Sequence, residues 1–187
     1  MKAITVLSLM TVLVGSNFVL PQVSQAEERI CRGSIGSITV DNLKVPDGAS
    51  CTLSGTRVQG SIVVGSNASL AGTNIRVIGN IQAENATRVN VGGTSSVGGS
   101  IQLKQGRAAS IVGVTINGSL QMESNSGALS ARSNKIGADL QAFQNTSGVV
   151  IQSNRIDGNL QCKENRPAPT GGGNVVQGNK EDQCARL

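Results

Sequence analysis

One five-residue pattern returns along this chain about every 20 residues: aliphatic, variable, small, polar, aliphatic. It reads Val58-Gln59-Gly60-Ser61-Ile62, Val77-Ile78-Gly79-Asn80-Ile81, Val97-Gly98-Gly99-Ser100-Ile101, Ile116-Asn117-Gly118-Ser119-Leu120, Ile136-Gly137-Ala138-Asp139-Leu140 and Ile156-Asp157-Gly158-Asn159-Leu160. A variant, Val176-Gln177-Gly178-Asn179-Lys180, closes the series. The central positions 60, 79, 99, 118, 138, 158 and 178 are separated by steps of 19, 20, 19, 20, 20 and 20. A register this steady means one structural unit stacked on itself.

Within a unit, Leu140 and Ala142 alternate with polar residues, Val149 and Ile151 alternate again, and Ile156 opens the next short run. Period-two runs of a few residues, separated by Asn, Gly and Ser, are strand and turn punctuation. No sustained 3.6-residue periodicity follows residue 26, so a helical repeat is excluded. Short strands recurring at one coil length, with no room for an antiparallel return, predict an all-β chain wound as a single-stranded parallel β-helix, a solenoid with about 20 residues per coil and about 4.8 Å between coils.

Its core is expected to hold two aliphatic rows: Ile62, Ile81, Ile101, Leu120, Leu140 and Leu160, and Val77, Val97, Ile116, Ile136, Ile156 and Val176. Each such side chain contributes roughly 1.5–3 kcal/mol on burial, and cooperativity comes from adding coil to coil. Two amide series point to the corners. Asn85, Gln105, Asn125, Asn145 and Asn165 are spaced by 20, as are Asn134, Asn154 and Asn174. Stacked amides form hydrogen-bonded ladders in parallel, in-register strands, and Asn tolerates the left-handed backbone of tight corners.

The run Val150-Ile151-Gln152-Ser153-Asn154-Arg155-Ile156-Asp157-Gly158-Asn159-Leu160 resembles the coil consensus of right-handed parallel β-helix proteins, the class that includes pectate lyases and many surface and phage proteins. The resemblance covers most of the chain after residue 26. It implies a right-handed coil and no particular activity. The tail from Gly171 to Cys184 is similar to the ending of secreted bacterial proteins of this kind, which brings no known chemistry with it. Left-handed hexapeptide helices use multiples of six and do not fit the period. Pentapeptide-repeat helices share it, but only Ala138-Asp139-Leu140-Gln141-Ala142 matches their unit. Bactofilin-like helices share the Gly-x-aliphatic rhythm but are normally cytoplasmic.

Residues 1–26 read as a secretory signal: Lys2, an apolar stretch from Ala3 to Val14, and the small-x-small site Ser24-Gln25-Ala26. The apolar run is interrupted at Gly15-Ser16-Asn17 and is shorter than the roughly 20 residues of a spanning helix. The mature chain is expected to start near Glu27, secreted or held in the periplasm or cell envelope, with no integral membrane segment. Removing Lys2 lowers the formal charge from +5 to +4. Nucleic-acid binding calls for a basic face with stacking aromatics, and Phe143 is the one aromatic residue after the signal. The absence of Trp and Tyr removes the usual sugar-stacking side chains. The absence of His removes the commonest general base and metal ligand. No cofactor, metal or nucleic acid is expected, and the chain is expected to be a monomer.

Four cysteines, Cys31, Cys51, Cys162 and Cys184, imply disulfides in an exported chain. Separations of 20 and 22 residues, each near one coil, pair Cys31 with Cys51 and Cys162 with Cys184. Closing a loop of about 20 residues is worth on the order of 3 kcal/mol in the chain-entropy model. The bridges would staple the two ends, dividing the chain into a signal (1–26), an N-terminal cap and first coil (27–59), regular coils (60–177) and a C-terminal cap (178–187). In that cap, Lys180 replaces a core Leu and Asp182 follows Ala142 and Cys162, so charge ends the stack.

Three surface rows remain. Gln82, Gln102, Gln121, Gln141 and Gln161 follow the first aliphatic row by one residue. Arg57, Arg76, Lys135 and Arg155 precede the central small residue by three, with Ser96 and Thr115 interrupting. Glu84, Lys104 and Glu123 alternate in sign, which stabilises neighbouring rungs. The first two rows are the candidate binding faces, for an envelope or extracellular polysaccharide or a surface protein. The competing reading is a small polysaccharide lyase or glycoside hydrolase. Such enzymes need clustered carboxylates or two at a set separation, and Asp139 with Asp157 is the one pair worth nominating. Asp139, however, fills the turn slot held elsewhere by Ser and Asn, and minimal coils leave no loops to wall a cleft. The function expected is therefore a non-enzymatic exported scaffold or surface-interaction module. N-terminal sequencing of the exported protein should return Glu27 as its first residue; retention of Lys2 would remove the signal from this account.

Overall fold

Each coil takes three short strands to close, as in Leu140–Phe143, Val149–Gln152 and Arg155–Ile156. The computed structural model describes residues 27–187, and the expected signal lies outside them. Equivalent strands of successive coils pair in parallel and in register, making three sheets of nine, eight and eight strands along one axis. The chain is the parallel β-solenoid that the repeat predicts. Nine strands in the first sheet make a rod about 38 Å long at ~4.8 Å per coil. Residues 27–59 already supply strands to all three sheets, beginning with Glu28–Ile30.

Strand length follows from how many residues can point inward between two corners. The first sheet buries alternate residues twice per strand and the second does the same, while the two-residue strands of the third bury one each. Five rows therefore fill the interior. The two expected rows come from the first and third sheets, and all their members except the partly buried Val176 are almost fully buried. The other three are a second row of the first sheet (Val45, Val64, Ala83, Leu103, Met122, Ala142, Cys162) and two rows of the second sheet. The latter run through Leu70, Val89, Ala109, Leu129 and Val149, and through Leu53, Val91, Ile111, Ala131 and Ile151.

All three corners are bound together by side chains. At the corner between third and first sheets, the polar residue of the repeated motif accepts a hydrogen bond from the backbone N–H of its successor one coil on. Asn42 Oδ1 accepts from Ser61 at 3.0 Å, Ser61 Oγ from Asn80 at 3.0 Å, Asn80 Oδ1 from Ser100 at 2.8 Å and Ser100 Oγ from Ser119 at 3.0 Å. Ser119, Asp139 and Asn159 continue it. This explains the small residue beside each one: a Cβ at Gly79, Gly99, Gly118 or Gly158 would run into the accepting oxygen of the coil below. Ala138 is the exception, and the bond at that rung, Asp139 N–H to Ser119 Oγ, is the longest of the series at 3.3 Å.

The other two corners carry buried asparagines. Asn125 donates its Nδ2 protons to Leu103 O and Asn145 Oδ1, both at 3.0 Å, and its Oδ1 accepts from Gly106 N. Asn145 and Asn165 repeat the arrangement, and Gln183 closes it with its own amide. Asn134, Asn154 and Asn174 form the equivalent column at the next corner. No buried side-chain N or O atom among the described residues lacks a partner.

Two expectations need correcting here. Asn85 and Gln105 are not rungs of the Asn125 column. The coil leading to Asn125 is one residue short, with Ser96 facing Thr115 and Lys104 facing Glu123, so the slots facing Asn125 in earlier coils hold Ala86 and Gly106; a residue gained after Asn125 restores the spacing, and Leu129 pairs with Ala109. The left-handed backbone expected of the amide series is found at Asn85 and Gln105, with φ of 54° and 52°, but not at the ladder asparagines. That falls to the residue before each one, Ser124, Ser133, Gln144, Ser153, Glu164 and Gly173, with φ between 54° and 67°.

The bridges are Cys31–Cys51 and Cys162–Cys184, with Cα separations of 5.6 and 5.2 Å. Neither joins register partners. Ser34 faces Thr52, which sets Cys51 over Gly33, and Cys162 faces Asp182. Each bridge thus reaches two residues past the partner and pulls the terminal segment across the open end of the core.

The corner contacts separate two glycine substitutions. Gly99→Ala should cost about 1–3 kcal/mol by forcing the Asn80 carbonyl off the backbone it serves. Gly148→Ala meets open space at an ordinary φ and should be neutral or stabilise by up to ~1 kcal/mol. Denaturant unfolding of the two variants measures both; equal destabilisation would refute the corner explanation of the motif.

Candidate functional site

A triangular rod has three outer faces, and strand alternation decides what each one shows. On the second sheet the middle outward row is Thr52, Ala71, Asn90, Ser110, Ser130, Val150 and Thr170, without a charge. The chemistry lies on the other two faces.

On the first sheet the glutamine row sits in register from Gln82 to Gln161. Each side chain donates to the next: Gln82 Nε2 to Gln102 Oε1 at 3.1 Å, Gln102 to Gln121 at 2.9 Å, Gln121 to Gln141 at 3.0 Å and Gln141 to Gln161 at 2.9 Å. Gln161 ends the row on Glu181 Oε2 at 2.8 Å. A primary amide carries two donor hydrogens and two acceptor lone pairs. The ladder uses one of each at Gln102, Gln121 and Gln141 and holds the rest in a fixed outward array repeated about every 4.8 Å.

Two residues further along the same strands runs the row Glu84, Lys104, Glu123, Phe143, Lys163. Lys104 and Glu123 form an ion pair at 3.2 Å with both side chains nearly half exposed. Open hollows lie between the two rows. One, of about 320 Å³, is bounded by Val63, Gln82, Glu84, Gln102 and Lys104.

On the third sheet the cation row is exposed. Arg57 is the register partner of Arg76, and Lys135 of Arg155, with Ser96 and Thr115 between the two pairs. Arg155 has Asp157 at 3.7 Å; Arg57, Arg76 and Lys135 make no ion pair among the described residues. The glutamine row and the cation row are therefore on different faces of the rod.

The nominated carboxylates are occupied. Asp139 Oδ1 accepts from Asn159 N–H at 2.7 Å as a corner rung. Asp157 Oδ1 accepts from Gln177 Nε2 at 3.0 Å and faces Arg155. No cluster of three or more His, Cys, Asp or Glu able to hold a metal ion occurs among the described residues, and no helix among them is long and apolar enough to cross a membrane. The residue that sequence reasoning passed over is Phe143. Its position two after Gln141, in the slot of Glu84, Lys104 and Glu123, is the signal that places it on the outside.

Comparison with protein-family models, curated proteins and solved structures finds no match to this chain.

Surface and corner amides should respond differently to replacement. Gln121→Leu leaves its neighbours within reach of water and should cost under about 1 kcal/mol. Asn145→Leu strands the Asn125 N–H groups and the Met122 carbonyl inside and should cost about 3 kcal/mol or more. Equal losses in denaturant unfolding would make the glutamine row a structural element rather than a displayed one.

Proposed function

We propose that this protein acts outside the cytoplasm as a rigid, non-enzymatic rod that binds an extended anionic polysaccharide of the envelope or extracellular matrix along its third sheet. The observation that carries this reading is the pairing of like charges. Arg57 over Arg76 and Lys135 over Arg155 place cations on adjacent rungs, where mutual repulsion lowers stability. The first sheet alternates its charges at the equivalent spacing, so the fold has a better solution available. A local rule broken without a structural return marks a functional site.

Two further features agree with it. Groups repeated about every 4.8 Å along a stiff axis suit a ligand that itself repeats. Two disulfides fit an oxidising compartment. The occupied carboxylates favour binding over hydrolysis or elimination.

The test is a titration of residues 27–187 with acidic and neutral polysaccharides, beside a variant with Arg57, Arg76, Lys135 and Arg155 all changed to Gln. Binding to the acidic polymers should weaken as salt shortens the Debye length below about 8 Å. The variant should lose that binding while melting at the same temperature or higher, because the repulsion is gone. Undiminished binding by the variant, or release of new reducing ends or unsaturated products by the wild type, would overturn the proposal.

A further inference from the structure

The outward row Glu84, Lys104, Glu123 alternates in sign up to the rung where Phe143 stands, and Lys163 follows it. Phe143 is the one aromatic residue after position 26. The core has no use for it there: Leu140 and Ala142 of the same strand are fully buried, whereas Phe143 points out and is half-buried. A cation at that rung would have continued the alternation. The ring instead forms the shared wall of two open hollows, of about 270 and 230 Å³, that follow one another along the face.

What surrounds the ring is polar and fixed. Gln121 and Gln141 line the second hollow, each with one N–H and one lone pair left over from the ladder. In the first hollow, Gln144 is held by Glu164, its Nε2 donating to Oε2 at 2.9 Å. Lys104 and Lys163 balance Glu123 and Glu164 in formal charge, so neither an anion nor a cation is favoured.

We propose that Phe143 is the platform of a second binding site, one for a neutral pyranose within a hydroxyl-rich glycan. The apolar C–H face of the sugar packs on the ring. Its hydroxyls donate to and accept from the spare amide positions of Gln121 and Gln141, and the carboxylate of Glu123 accepts a hydrogen bond from a further hydroxyl. The mixed lining matches an apolar site with a few placed polar groups. The proposal stands apart from the cation face, which lies on another sheet and depends on charge.

Because no other aromatic side chain follows the signal, the Phe143 ring protons are the one set of carbon-bound protons in the aromatic region of a 13C-edited proton NMR spectrum of the labelled protein. Residues 27–187 are titrated with cello-, manno- and xylo-oligosaccharides, and with oligogalacturonate as the acidic control. The ring signals should move with at least one neutral series, equally at low and high salt. They should do so also in the variant lacking Arg57, Arg76, Lys135 and Arg155. Phe143→Leu should weaken that binding about tenfold or more, equivalent to ~1.4 kcal/mol, with an unchanged melting temperature, and Phe143→Trp should restore it. A ring that no neutral oligosaccharide moves, a ring that only oligogalacturonate moves, or a Phe143→Leu protein that binds as tightly as wild type would each overturn the site. A negative ring result beside salt-sensitive polymer binding would overturn this site alone, and the converse would overturn the cation face alone.

Discussion

Side-chain hydrogen bonds between one coil and the next hold this rod together where backbone pairing stops. Parallel strands bond in regular fashion along their length, but each corner takes the chain out of the sheet and leaves peptide groups to be satisfied. The chain answers with a column of Ser, Asn and Asp along one corner, and with buried Asn at the other two from Asn125 and Asn134 onward, where earlier coils place Ala86 and Gly106 at one and Ile75, Ser95 and Val114 at the other. An unpaired buried amide costs about 1–3 kcal/mol, and each asparagine rung relies on its neighbour for partners. The coils are therefore coupled through their corners as well as through the aliphatic rows. Small side chains and short strands, which alone would make a thin core, become sufficient because cooperativity is spread along the axis.

The sequence made this legible in proportion to how local each signal was. The five-residue motif carries its own corner, with the accepting side chain and the small neighbour that makes room for it, so it announced both the coil and two core rows. The cysteine pairing followed from coil length alone. The other inward rows were harder to see. Ala83, Met122 and Ala142 occupy one row with little chemical likeness, because the interior asks for volume and tolerates variety. The Asn85 and Gln105 assignment failed because the short step from Gly99 to Gly118 carries the slot of Gln105 to Ser124, and a residue gained after Asn125 restores the spacing. Counting from a fixed point cannot detect a shift that later cancels.

For the outer faces, repetition showed which residues point outward but not which share a face. Rows separated by a few positions in the motif can belong to different sheets, as the glutamine and cation rows do. Only the register made Arg57 and Arg76 direct neighbours and gave them no acid to face. The same register turned an isolated Phe143 into a break in a charge pattern. In a solenoid this regular, departures from the repeat are the informative positions, because the stacking itself already explains the residues that obey it.

The two ends obey a related logic. The first core row begins at Arg29, which pairs with Leu43, and finishes at Lys180, which pairs with Leu160. Stacking one rod on another in the coil direction would set Lys180 beneath Arg29 of the next, two like charges at the spacing where aliphatics belong. A solenoid end presents unpaired strand edges and invites indefinite head-to-tail growth, because such an interface does not close on itself. At the far end the Lys180 ammonium also donates to the Leu187 carbonyl, and Cys184 is bonded beneath, so the last turn is folded back over the core. The cations at the two ends of one row oppose the addition that the repeat would otherwise continue.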